Sequence, residues 1–223
     1  RSVLTAEQRF LESEPYRFRR EVNSSGMSFT LFGTATAAVP EGLLGDVRGF
    51  LREARATIAQ CLVAAAPSGV FGYKPVVPEE LTDLSEDQWT LVQHMALALG
   101  TSYDDPLATL KAFNDLDNQG ALRLYLGKGS GDPLNLPDTS DPRFRDGEVD
   151  YIASGPLKQD TPLAHVWVTD PGGLEMYMDV ALPIEVFVGD ASEGVSPIPL
   201  GQQLTTIAGR VRAVVAELDR GLS

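Results

Sequence analysis

Hydrophobic and polar residues alternate in two short stretches near the start of the chain, 16–22 and 27–36. The first stretch places Tyr16, Phe18 and Val22 on one face. A period of two is typical of β-strands that bury one face, and the Asn-Ser-Ser-Gly sequence between the stretches favours a turn. The pattern therefore predicts an N-terminal β-hairpin.

Apolar residues recur every three or four positions in the middle and at the end of the chain. This spacing predicts amphipathic helices over 43–65 and 202–220. Capping patterns predict further helices over 5–12, 85–99 and 105–116. The apolar residues of the last helix form a narrow seam that we expect to be buried: Leu204, Ile207, Val211, Val214 and Leu218.

Alternation returns after residue 120. It predicts strands over 122–126, 149–153, 163–169, 174–181 and 184–188. Strands at both ends of a chain with helices between them favour an α+β fold. We predict an antiparallel sheet built from the N-terminal hairpin and the C-terminal strands, packed against three to four amphipathic helices. The chain is expected to form a single domain, 1–223, with a long irregular loop at 127–147.

Turn chemistry predicts a second hairpin, in which strands 163–169 and 174–181 flank an Asp-Pro-Gly-Gly sequence. A three-residue loop, Pro-Gly-Gly, places Val166 opposite Met178 and extends one continuous apolar face, whereas a four-residue loop breaks that face. Burial should select the three-residue register. The other face then carries three cross-strand pairs: His165 with Asp179, Trp167 with Tyr177, and Thr169 with Glu175.

This second face allows two interpretations. A tryptophan and a tyrosine side by side on a half-exposed face suit contact with a partner protein. The residues predicted for such binding are Trp167, Tyr177, Thr169, Glu175, Arg143 and Arg145. The alternative is a hydrolase- or transferase-type enzyme in which Asp179 orients His165 as a general base. No nucleophile can be placed beside that pair from the sequence, so we predict a non-enzymatic protein-binding or assembly module, with self-association as one form of it.

Two further motifs are incomplete. Residues 115–122 resemble the first eight positions of an EF-hand calcium loop, but the twelfth position is Leu126 instead of glutamate. The glycine-rich stretch 127–131 contains Lys128 but lacks the order of a phosphate-binding loop. We therefore interpret 115–122 as a turn and predict neither a metal nor a cofactor. His94 and Cys61 fall within apolar helix faces and are expected to be core residues.

Composition and charge narrow the function classes. The formal net charge of −13 opposes binding to nucleic acid, and no basic cluster offsets it. No apolar run approaches the roughly 20 residues that cross a bilayer. A single cysteine excludes an intramolecular disulfide, and the first residues lack the order of a signal peptide. These features predict a soluble, acidic, cytoplasmic protein.

Overall fold

The computed structural model describes residues 2–26, 28–65, 106–129, 149–152, 156–167, 183–189 and 198–221. In this part of the chain the helices are α1 (Ser2–Glu12), α2 (Glu41–Ala65), α3 (Pro106–Asn118) and α4 (Leu200–Gly221). The strands are β1 (Tyr16–Val22), β2 (Ser28–Ala35), β3 (Arg123–Lys128), β4 (Val149–Tyr151), β5 (Thr161–Trp167) and β6 (Ile184–Gly189). All strand pairs are antiparallel, which confirms the predicted α+β class. The predicted helix 85–99 with His94, and the predicted strand 174–181, lie outside the described residues.

The chain divides into two compact units. One contains nearly all of α1 and the six strands named above, and it comprises Val3–Pro40 and Arg123–Leu200. The other contains α2, α3 and nearly all of α4 and comprises Glu41–Leu122 and Gly201–Ser223. The single domain, 1–223, stays a prediction.

The larger sheet has the strand order β1-β2-β5-β4. The predicted N-terminal hairpin is confirmed, because Tyr16 pairs with Ala35 and Val22 with Phe29. One face of the two central strands is buried and forms the core: Phe29, Leu31, Ala164 and Val166. Burial of this face fixes the register, since a shift by one residue would turn these side chains towards solvent.

A β-bulge lies between β2 and β5. Leu31 pairs with Ala164 and Phe32 with Pro162, which leaves Leu163 as the extra residue. Both Leu163 and Leu157 pack against Gly33, where an added Cβ would lie 2.7 Å from a methyl carbon of each leucine. Gly33 therefore allows two core side chains to approach the backbone of β2.

β3 and β6 form a separate two-stranded sheet, with Tyr125 opposite Phe187. The two rings stack with their centroids 5.8 Å apart and their planes 12° apart. Side chains on both faces of this pair are buried: Tyr125, Leu126, Val186, Phe187 and Val188. The sequence did not separate these strands from the larger sheet, because a pattern along one strand does not specify its neighbour.

In the second unit, the apolar seam predicted on α4 is buried as expected at the positions described. Four of its five positions are buried: Leu204, Ile207, Val211 and Val214. An open groove of about 370 Å³ lies between α2 and α4, with Phe50 and Val211 among its lining residues. The side chains of Leu218 and Cys61 lie outside the described ones, so their predicted burial stays a prediction.

Candidate functional site

The candidate site is the face of the larger sheet opposite its core. On β5 Val166 is only 1% exposed, whereas the next residue, Trp167, is 41% exposed on the other face. Trp167 lies beside Ser28, and His165 lies beside Thr30. Residues directly opposite on antiparallel strands share a face. We call the following residues the Trp167 surface: Arg19, Glu21, Thr30, Phe32, His165 and Trp167.

His165 is held by its neighbours on this surface. Its Nδ1 lies 2.8 Å from Oγ1 of Thr30, within hydrogen-bond distance, and its ring centroid is 5.9 Å from that of Trp167. The tautomer of the imidazole decides whether the ring or the hydroxyl donates. Because Nδ1 is engaged by Thr30, Nε2 is the nitrogen at which the ring would exchange a proton with another molecule.

The predicted register between β5 and 174–181 is not compatible with the strand order. At His165, β2 contributes Thr30 on one side and β4 contributes Asp150 on the other. A strand has two hydrogen-bonding edges, so no edge remains there for the backbone of Asp179. The other predicted site residues lie outside the described part of the chain: Tyr177, Thr169, Glu175, Arg143, Arg145 and Asp179 itself. A side-chain contact between His165 and Asp179 therefore stays a prediction.

Sequence reasoning missed Thr30. One local signal was present, because Thr30 lies between the apolar residues Phe29 and Leu31 and so belongs to the polar face of its strand. Its partner His165 is 135 residues further along the chain. No local pattern identifies a pairing over that separation.

Arg19 forms a polar rim on the same surface. Its Nη1 is 2.9 Å from Oε2 of Glu21, and its Nε is 3.2 Å from Oδ1 of Asp160. Hydrogen bonds to Glu21 and to Asp160 raise the pKa of Arg19 above its ordinary value. The guanidinium carbon also lies 4.5 Å from the ring centroid of Phe32. These contacts hold the planar guanidinium group of Arg19 over the aromatic ring of Phe32.

The calcium-like segment 115–122 ends a helix instead of encircling an ion. Gly120 has a φ of +67°, and Ala121 N–H donates to the carbonyl of Leu116. This is the Schellman arrangement that closes a helix C-terminus, and it confirms the turn interpretation. Asp117 is paired with Arg48 at 2.8 Å, and Asp115 with Lys111 at 3.2 Å. Within the described ranges, no three or more His, Cys, Asp or Glu side chains are grouped so as to hold a metal ion.

Besides Arg19, three residues of the β3–β6 pair have shifted pKa values. Burial raises the pKa of Tyr125 to about 12 and also raises the pKa of Glu185. Burial lowers the pKa of Lys128. Perturbed groups indicate a functional site when a specific charged partner also acts on them. Here desolvation is the cause, so we interpret these shifts as a consequence of burial.

Comparisons with protein-family models, with curated proteins and with solved structures find no match for this chain. Of the helices described, none combines the length and the apolar character needed to cross a membrane. A function therefore has to follow from the chemistry of the described surfaces.

Proposed function

We propose that the protein is a binding or assembly module whose Trp167 surface contacts a partner protein. The exposure of Trp167 is the observation that carries this proposal. Tryptophan is enriched at protein interfaces, because it offers a large apolar area with a polar N–H group. A tryptophan held on a strand also loses little conformational freedom when a partner binds.

The surroundings of Trp167 support this proposal. His165 and Thr30 continue the surface across neighbouring strands, and Arg19 covers Phe32 at its rim. An aromatic centre with a polar rim is the usual arrangement of protein interfaces. Small substrates are more often held in concave pockets. The groove described above lies between α2 and α4, and His165 is not among its lining residues.

The partner in this proposal is either a second copy of the chain or a different protein. A cytoplasmic location is part of the proposal, and it is supported by the single cysteine, Cys61. Both kinds of partner lead to the same expectation for Trp167. Its removal should weaken association without unfolding the chain.

The test is light scattering coupled to size exclusion, on the purified chain and on complexes retained from the native host. Trp167→Ala is compared with Leu4→Ala, which removes an apolar side chain of similar exposure, 40%, from α1. We expect the wild-type chain and Leu4→Ala to retain the same partner or dimer, and Trp167→Ala to lose it. A wild-type chain that is strictly monomeric and retains no partner would contradict the proposal, as would equal retention by Trp167→Ala.

A second candidate is an enzyme of hydrolase or transferase type with His165 as general base. The observation that favours it is the contact of 2.8 Å between His165 and Thr30. In the tautomer in which Nδ1–H donates to Oγ1 of Thr30, this hydrogen bond orients the ring and leaves Nε2 to accept a proton from a substrate or water. In this form Thr30 takes the orienting role that the sequence assigned to Asp179.

Turnover of chromogenic esters and phosphoesters tests this second candidate. His165→Asn should abolish turnover, and Thr30→Val, which keeps the shape of the side chain but removes the hydroxyl, should reduce it. The absence of turnover by the wild-type chain, or turnover that His165→Asn retains, would count against the enzyme.

A further inference from the structure

One edge of β1 has a regular set of backbone groups that point away from β2. Thr36 N–H donates to the carbonyl of Pro15, and Asn23 N–H donates to the carbonyl of Ser28, both at 2.9 Å. In an antiparallel pair, alternate residues direct their backbone groups to the same side. The odd-numbered residues of β1 therefore bond to β2, and the even-numbered ones face the other edge: Tyr16, Phe18, Arg20 and Val22. Among the described strands, β2 is the neighbour of β1, and no strand lies on that second side.

The charge of β1 is opposite to that of the whole chain. β1 carries three arginines and one glutamate, whereas the chain has a formal net charge of −13. Arg19 is paired with Glu21 and Asp160. Arg17 and Arg20 are exposed. They are three positions apart in the sequence, so they lie on opposite faces of the strand. An added strand would therefore meet one positive charge on each face.

The side chains of β1 also indicate where an added strand would place its apolar residues. Val22 is 42% exposed, and it shares a face with the half-buried ring of Phe18. Arg20 lies between them on the same face, with its guanidinium carbon 5.7 Å from the ring centroid of Phe29. Apolar residues opposite Val22 and Phe18 would extend the buried face of the sheet.

A second copy of β1 is a poor occupant of this edge. Every antiparallel register centred between Phe18 and Arg20 places an arginine opposite an arginine. Directly opposed like charges destabilise a strand pair, and charged edge strands commonly prevent such self-association. The same charges attract a segment that carries acidic residues.

From the backbone groups of β1 that no described strand pairs, and from the local charge, we infer that β1 binds an extended acidic segment of a partner protein by strand addition. The segment runs antiparallel to β1 and carries two acidic residues three positions apart, opposite Arg20 and Arg17. Apolar residues lie opposite Val22 and Phe18. This inference rests on the proposed function, because it states how a partner protein is held.

The register defines a probe peptide, Val-Thr-Glu-Thr-Val-Glu-Val, whose first residue lies opposite Val22. A first matched peptide replaces both glutamates with lysine. A second keeps the sequence but carries N-methyl groups on its third and fifth residues, which removes backbone donors that would bond to Arg20 and Phe18. Fluorescence anisotropy of each labelled peptide with the full chain measures binding.

We expect saturable binding of the glutamate peptide. Binding should be at least about tenfold weaker for the N-methylated peptide, since tenfold corresponds to about one backbone hydrogen bond. The lysine peptide should bind more weakly by a similar factor, because its charges lie opposite Arg20 and Arg17. Amide hydrogen exchange at Arg20 and Val22 should slow in the presence of the glutamate peptide. Equal binding by the N-methylated peptide or by polyglutamate would overturn the inference, because the attraction would then be one of charge alone. The absence of saturable binding would overturn it as well.

Charge reversal in the chain gives the complementary test. The double variant Arg17→Glu, Arg20→Glu should weaken binding of the glutamate peptide by about tenfold and should bind the lysine peptide more tightly than the wild type does. The matched control is Arg52→Glu on α2, which makes the same change at another exposed position. A control variant that loses binding as strongly as the double variant would contradict the placement on β1.

Failure of this inference can be distinguished from failure of the proposed function. Trp167 lies on β5, which is separated from β1 by β2, so Trp167→Ala should bind the peptide as the wild type does. If the chain retains a partner that depends on Trp167 but does not bind the peptide, the inference about β1 is overturned and the proposed function is not. If the chain binds the peptide but retains its partner without Trp167, the role of the Trp167 surface is overturned and the inference about β1 is not.

Discussion

The two sheets have the same antiparallel pairing but expose different amounts of their surface. The larger sheet buries one face and leaves Trp167 and its neighbours accessible on the other. The β3–β6 pair buries side chains on both faces, including the stacked rings of Tyr125 and Phe187. The difference indicates that β3–β6 contributes stability, whereas the larger sheet leaves an exposed tryptophan, the group on which the proposed binding function rests. Substitutions in the two sheets should therefore separate stability from binding.

The largest effect is expected for Phe187→Ala. Phe187 is 2% exposed and stacks on Tyr125, so its truncation leaves a cavity in β3–β6. The free energy of unfolding should fall by about 3–5 kcal/mol. Urea denaturation measures this change. A loss below about 1 kcal/mol would show that the pair is not tightly packed.

Tyr125 should make the stability of the chain sensitive to alkaline pH. Its hydroxyl has no hydrogen-bond partner among the described residues, and burial raises its pKa from 10 to about 12. The folded state then holds a proton that the unfolded state releases, so the stabilisation is complete below pH 10 and is lost as the pH rises to 12. The loss over this window is about 2–3 kcal/mol.

Tyr125→Phe provides the control for this pH dependence. Removal of a buried hydroxyl without a partner should leave stability at pH 7 unchanged or increased. Denaturant unfolding between pH 9 and 12 should show a smaller decline for the variant than for the wild type. An identical decline in both chains would assign the effect to other groups.

Gly33→Ala should have an intermediate effect, on the buried face of the larger sheet. The added Cβ would press on Leu157 and Leu163. Overpacking of this kind costs about 1–3 kcal/mol. Gly209→Ala on α4 is the control, because its added Cβ meets no atom within 4 Å and alanine favours a helix. Thermal melts should show opposite shifts for the two variants, and a stabilised Gly33→Ala would contradict the close approach.

The smallest effect on stability is expected for Trp167→Ala. Its side chain is 41% exposed, and its described ring contact is with His165. The free energy of unfolding should change by less than about 1 kcal/mol, although the side chain removed is larger than that of Phe187. A loss as large as that for Phe187→Ala would make Trp167 a core residue and remove the contrast between the two sheets.

Local patterns predicted much of the secondary structure. The hairpin of β1 and β2, the long helix α2 and the seam of α4 follow from periods of two and of three to four residues, which record a single buried face. The order of the strands did not follow from the sequence. Turn chemistry suggested that β5 pairs with the segment after it, whereas its described neighbours are β2 and β4. No local sequence pattern predicts the bulge at Leu163, which shifts the register between β2 and β5 beside Gly33.

The candidate site was predicted in part. The alternation along β5 correctly placed His165 and Trp167 on the face opposite Val166. It did not bring Thr30 to His165, because the contact joins two distant strands and depends on their register. The sequence also did not predict that β1 lies at the edge of the described sheet, since the order of the strands decides which of them is an edge.

Site-specific photo-cross-linking in the native host tests the role of the Trp167 surface most directly. A benzophenone amino acid, which keeps a large aromatic side chain at the substituted position, replaces Trp167 in one chain and Leu4, of similar exposure, in another. We expect irradiation to join the first chain to one defined protein, or to a second copy of itself, and to leave the second chain without that adduct. The absence of an adduct at position 167, or the same adduct from position 4, would contradict a binding role for this surface.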